Sequence, residues 1–330
     1  MRTLLWIAAL GVLLAAVAAA GITYFISPVD ARARPTIVIV PSGATTPEVG
    51  RRLEASGVVR SASHFAYAAR LRRVTRSLHQ GEYQVSPAMP LLAIVDKIAK
   101  GDVVLHPVTI PEGYTAQQIV EALAGKGLGN IAALREIVQS GADRYPYEFL
   151  RNAPGGSLEG YLFPDTYHLP RFVGEKEVIG ALLQRFGEAV VPSWRLLGGG
   201  RSLHEIITVA SMVEREAQVP AERSLIAGVI YNRLKRGWRL EVDATVLYAL
   251  GRHKSIVTYE DLKVNSPYNT YLRAGLPPGP IASPGIGAIT AALSPEKTEY
   301  LFYVARPDGS HIFNTTLSAH LAAIRRLRGP

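Results

Sequence analysis

The side chains able to do chemistry in this sequence are carboxylates, amides and phenols. Cysteine is absent, which removes thiolate nucleophiles, thiolate metal sites and disulfide frameworks. The eight histidines are scattered, without the spacing of metal ligands. His204-Glu205 begins like a zinc-protease motif, but Thr208 stands where its second histidine would be. The sequence has no phosphate-cradling loop, dinucleotide fingerprint or GxSxG elbow. Acids, amides and aromatics are the usual equipment for handling sugars, where a positioned carboxyl group moves a proton. No metal or cofactor is expected.

Two of the acids lie on one helical pattern. From Ser202, the residues Ile206, Ile207, Ala210, Val213 and Ala217 make an apolar face, flanked by Glu214 and Glu216. Two positions apart on a helix is about 200° around the axis, so the two carboxylates cannot point into one site. Periodicity does not choose between them, and a solvated helix charge would read the same way. Residues 265–271, NSPYNTY, form a polar loop stiffened by the proline-rich LPPGP at 276–280. An ordered surface loop would have the same composition.

These groups need a scaffold. Nearly half of the 330 residues are apolar, so most of the chain is expected to fold. The net charge of +9 favours anionic partners without choosing among nucleic acid, lipid and acidic polymer. Residues 4–26 are uncharged and as a helix span roughly 34 Å, enough for a bilayer core. We read them as an uncleaved anchor, although Ala18–Ala20 could serve as a signal-peptide cleavage site. Arg2 precedes this span and Arg32 and Arg34 follow it, so the positive-inside rule does not assign a side.

A strand–turn–helix pattern then occurs twice. Pro41, Gly43, Thr45, Val49, Leu53 and Gly57 align with Pro111, Gly113, Thr115, Ile119, Leu123 and Gly127 at a constant offset of 70 (111 − 41). Thr45 and Thr115 are placed to cap their helices. Between the copies, Arg70, Arg72, Arg73 and Arg76 form a basic cluster; no aromatic-interleaved nucleic-acid motif accompanies it, so a solvated face or a contact with lipid or wall polymer is expected. Further helices are predicted at 175–189, 202–217 and 220–236, with strands at 300–304 and 311–313. The fold class is α+β. The expected organisation is a start and transmembrane anchor at 1–27, a linker at 28–35, small modules with connecting helices at 36–150, and the main domain at 151–330.

Five segments resemble the endolytic murein transglycosylases, also called the YceG-like family: LEGYLFPDTY at 158–167, ASMVERE at 210–216, YNRL at 231–234, NTY…LPPG at 269–279 and FNT at 313–315. Their order, spacing and preceding apolar span also match. The resemblance implies endolytic cleavage of peptidoglycan strands between N-acetylmuramic acid and N-acetylglucosamine without water, leaving 1,6-anhydro ends. It places the catalytic acid/base on Glu216, with Glu214 and then Glu159 as alternatives. Glu159, Asp165, Asn232, Asp243, Asn269, Tyr271 and Asn314 become candidates for substrate contact, support or loop bracing. The N-terminal modules resemble LysM-like units. Implied too are a single-pass position in the bacterial inner membrane with the C-terminal domain outside the cytoplasm, a link to peptidoglycan synthases, and no nucleic-acid partner. A non-catalytic wall-binding scaffold and a true glycoside hydrolase are the competing readings.

Overall fold

The computed structural model describes residues 2–251, 254 and 257–328. Helix α1 (Arg2–Ile26) contains the uncharged run 4–26. Its stretch Ala9–Ile26 is long and apolar enough to cross a membrane and is not buried against protein; an export signal shares those properties. Trp6, Leu13 and Val17 stand exposed along it, which lipid favours and water does not. Its C-terminal end is held by Arg60, which donates to the carbonyls of Tyr24, Ser27 and Pro28 at 2.9, 2.7 and 2.6 Å.

Contacts divide the chain into two units. The first runs to His106 and adds His168–Val173; the second holds Pro107–Tyr167 and the chain from Gly174 onward. The division falls after residue 106.

In the first unit, strand β1 (Thr36–Val40) is followed by helices α2 (Thr46–Ala55) and α3 (Ala62–Leu71), strand β2 (Gly81–Val85) and helix α4 (Leu91–Ala99). Side chains alternate along β1: Val38 and Val40 are buried, Ile37 and Ile39 exposed. It pairs antiparallel with β2, from Thr36↔Val85 to Val40↔Gly81. Val49, Leu53, Phe65, Tyr83, Ile94 and Ile98 close the core beneath this ribbon. Helices α2 and α3 approach so closely at Gly50 that a Cβ there would lie 2.8 Å from the Ala62 carbonyl oxygen. The four arginines of the basic cluster are exposed, and Arg72 pairs with Asp96 at 3.1 Å.

Strand β3 (Leu105–Thr109) leads into the second unit, followed by helices α5 (Ala116–Gly125) and α6 (Ile131–Ser140), which pack together. Strand β4 (Thr166–Pro170) pairs with β3. Then come α7 (Glu175–Leu197), α8 (Leu203–Glu216), α9 (Arg223–Lys235), α10 (Asp243–Leu250), α11 (Ile286–Leu293), the antiparallel hairpin β5 (Phe302–Ala305) and β6 (His311–Asn314), and α12 (Leu317–Arg328). Helix α8 is the centre. Leu203 through Val213 are buried except His204 and Glu205, and α9, α10 and α11 pack around it. The architecture is a mixed α+β fold whose sheets, among the described residues, are two-stranded.

Helix α7 runs past residue 189, where it was expected to stop, and through Pro192. Proline removes one helical hydrogen bond; burial of Val190 on the apolar face and a bond from Trp194 Nε1 to the Arg201 carbonyl at 3.0 Å hold the added turns. Helices α10, α11 and α12 and strand β4 were not expected from the sequence.

The two copies of the repeated pattern differ in detail. Thr115 forms a full capping box with Gln118 on α5. Thr45, expected to do the same on α2, makes no side-chain cap bond. Its helix has Pro47 in the first turn, without an N–H to donate, and Glu48 reaches Arg52 at 3.3 Å instead of turning back. Thr115→Ala should therefore cost about 1 kcal/mol of stability, as lost caps do, whereas Thr45→Ala should change the urea midpoint little. Equal losses in the two variants would contradict the difference in capping.

Candidate active site

Helix α8 begins at a capping box, Ser202 with Glu205, and this accounts for Glu205. The neighbouring His204 contacts the Tyr161 hydroxyl with Nδ1 at 2.9 Å and the Pro278 carbonyl with Nε2 at 2.8 Å. The truncated zinc motif is thus a helix start tied to two other segments. Within the helix, Ser211 Oγ accepts the Ile281 N–H at 3.0 Å, fixing the proline-rich segment to α8.

The last turn delivers Glu214 and Glu216 into separate surroundings, as their spacing requires. Glu214 has its side chain 8% exposed. It accepts the Gly285 N–H at 3.1 Å and faces Arg223 at 3.4 Å. Burial pushes its carboxyl up, opposed by that N–H and by Arg223. Gly285 is the N-cap of α11, so Glu214 braces the entry to that helix.

Glu216 is half-buried at the C-terminal end of α8. Its Oε2 accepts the Tyr303 hydroxyl at 3.2 Å. Burial first, and then the Asp243 carboxylate, push its carboxyl up to about 7; the Tyr303 hydroxyl, the Ala244 N–H and Arg215 pull the other way. Near neutral pH such a group is present in both protonation states, the condition for donating and accepting a proton at one position.

Sequence-distant segments converge here. Asp243 opens α10 and accepts the Tyr271 hydroxyl at 2.5 Å. The loop bearing Tyr271 is fixed by Thr270, whose Oγ1 accepts the Val242 N–H at 3.0 Å and contacts Thr245 Oγ1 at 2.9 Å. Glu241, just before α10, has a left-handed φ of 54°, which non-glycine residues hold only where surroundings enforce it. Arg233 at 3.0 Å and the Thr270 carbonyl at 3.2 Å supply that enforcement. Tyr303 comes from β5, its ring set edge-on to His311, whose Nδ1 meets Glu222 at 2.7 Å.

Comparison with known proteins bears on this arrangement. The YceG-like family profile matches residues 38–326. The chain belongs to the YceG-like family. A Bacillus subtilis relative named endolytic murein transglycosylase is 33% identical over 89% of this chain and 86% of its own length. One of that name from Streptococcus pneumoniae is 31% identical over 84% of this chain, and the match spans 56% of the longer streptococcal protein. A 2.6 Å crystal structure of a YceG-like protein from Listeria monocytogenes superposes with a TM-score of 0.60 at 36% identity, covering 88% of this chain and 99% of that one.

In this YceG-like chain the other expected acids and amides make their hydrogen bonds to groups other than the Glu216 carboxyl. Glu159 is buried; it accepts the Ala116 N–H at 3.0 Å and the Tyr248 hydroxyl at 3.2 Å. Burial pushes its carboxyl up to about 7 against those donors. Asp165 pairs with Arg185 at 2.7 Å and accepts the Thr166 N–H, which together hold its carboxyl low. Asn232 donates to the carbonyls of Thr298 and Tyr300 at 2.7 and 3.0 Å, tying α9 to the approach to β5. Asn269 is fully buried and donates to the carbonyls of Leu262 and Val264, both at 2.8 Å. Asn314 lies opposite Phe302 in the hairpin, and its neighbour Phe313 lies opposite Tyr303. Tyr303 and Tyr248 are absent from the sequence-based set. Tyr303 carried no signal beyond strand alternation, and Tyr248 belongs to a helix the sequence did not announce.

The raised carboxyl has a stability consequence. Below about pH 4.5, its ordinary value, Glu216 is protonated folded or unfolded. Between there and 7 the folded state binds more protons, so stability falls as pH rises through this window. Glu216→Gln should raise the urea midpoint over the wild type at pH 8, and the gap should close toward pH 4.5. A difference independent of pH would contradict the raised value.

Proposed function

We propose that this chain is an endolytic murein transglycosylase that cuts N-acetylmuramic acid–N-acetylglucosamine bonds within peptidoglycan strands. The observation that carries this reading is the Glu216 carboxyl, held near pKa 7 at a junction of three sequence-distant segments. Protonated Glu216 gives its proton to the glycosidic oxygen as the bond to the anomeric carbon breaks. The ionised carboxylate then takes the proton of the muramic C6 hydroxyl as that oxygen bonds to the same carbon. The ring closes as a 1,6-anhydro end, no water is consumed, and Glu216 returns to its starting state. The muramic acetamido group can assist at the anomeric carbon.

Helix α1 fits a single-pass anchor in the bacterial inner membrane, with the remaining chain on the extracytoplasmic side where the substrate lies. The first unit then serves as a LysM-like module near the anchor, and peptidoglycan synthases are partners suited to an enzyme acting on new strands. Among the substrate-contact candidates, Asp243 and Tyr271 interact electrostatically with Glu216. Asn232, Asn269, Asn314 and Asp165 act as braces.

One observation favours a second reading. Asp243 supplies another carboxylate beside Glu216, and ordinary glycosidases work with two. Mass spectrometry of purified strands incubated with the protein separates the two. Internal fragments ending in anhydro-muramic acid are expected, lost in Glu216→Gln and largely kept in Glu214→Gln. Reducing ends would mean a hydrolase, and binding without cleavage a scaffold.

A further inference from the structure

A cavity of about 430 Å³ opens beside the last turn of α8, within the roughly 300–1,000 Å³ of small-ligand sites. Its wall includes Arg215, Ala244, Leu247 and Tyr248 from α8 and α10, together with Glu159 and, from α6, Gln139. Arg215 precedes Glu216 in the chain, and Ala244 both lines the cavity and points its N–H at the Glu216 carboxyl. The cavity therefore adjoins the reacting group without containing it.

Its chemistry is mixed in a specific way. Gln139 and Arg215 are exposed. The Gln139 side chain has no hydrogen-bond partner among the described residues, and Arg215 makes one long contact, 3.4 Å to the Gly113 carbonyl. An amide and a guanidinium with free donors suit hydroxyl and acetamido oxygens, and Leu247 offers an apolar surface for ring C–H groups and an acetyl methyl. Behind them Glu159 accepts from Ala116 N and Tyr248 Oη, a bonded pair that fixes α10 against the start of α5.

We propose that this cavity is a subsite for an N-acetylated sugar of the strand, neighbouring the unit on which Glu216 acts. Gln139 and Arg215 contact the sugar, and Glu159 with Tyr248 positions the wall. An enzyme that cuts inside a strand has to hold sugars beyond the scissile bond, and this cavity, beside the last turn of α8, has room for one. The identity of the strand rests on the transglycosylase reading; the existence of the subsite does not.

The test is binding of purified, uncrosslinked, fluorescently labelled glycan strands to the full-length chain in detergent, on a Glu216→Gln background so that no strand is cut. Gln139→Ala, on an exposed helix face, should weaken binding roughly three- to tenfold, about one lost hydrogen bond. Leu247→Trp, which fills the cavity, should weaken it at least as much. Unchanged affinity in both variants overturns the subsite. Weakened binding in the variants, with a wild-type chain that never produces anhydro ends, would remove the transglycosylase reading and keep the subsite.

Discussion

The placement of one carboxyl group at the C-terminal end of a buried helix is the constraint on which the second unit turns. Helix α8 is surrounded by α9, α10 and α11, and Glu216 emerges where its last turn meets β5 and the start of α10. Burial and then Asp243 raise the carboxyl to about 7; the negative end of the helix macrodipole acts in the same direction. Neither burial nor a neighbouring anion suits a carboxylate, so this position is held at a cost in stability that the surrounding packing offsets.

Much of the polar network keeps that position fixed. Thr270 and Thr245 pin the NTY loop to α10, Asn269 ties the same loop together from inside, and Asn232 secures the approach to β5. The bonds to Val242 N–H and to the Leu262 and Thr298 carbonyls each satisfy a backbone group in an irregular segment. Glu214 does similar work on the opposite flank, where it receives Gly285 N–H and Arg223. Two glutamates in one motif thus have different uses, decided by the helical angle between them.

Much of this was legible in the sequence. The strands of the last hairpin were placed to within two residues, and the apolar stripe from Ser202 gave α8. The opposed directions of Glu214 and Glu216 followed from 100° per residue. The cap at Thr115 was visible, but the one at Thr45 depended on Pro47 and Glu48 in the same turn. Helices α10 and α11 escaped notice because they are short and apolar on most sides, leaving no periodic contrast to read. Tyr303 and Tyr248 escaped for a different reason: their importance is a matter of which distant carboxyl each meets, and spacing along the chain does not encode that.

The most direct test of the central claim is the pH profile of kcat/KM for anhydro-end formation, in the wild type and in Asp243→Asn. Glu216 must carry its proton when the strand binds, so activity should fall with a midpoint near pH 7. Removing the Asp243 charge removes a cause of the upward shift, so the fall should move to lower pH in the variant. A fall centred at an ordinary carboxylate value near 4.5, or one that Asp243→Asn leaves in place, would contradict the assignment of Glu216 as an acid raised by burial and by Asp243.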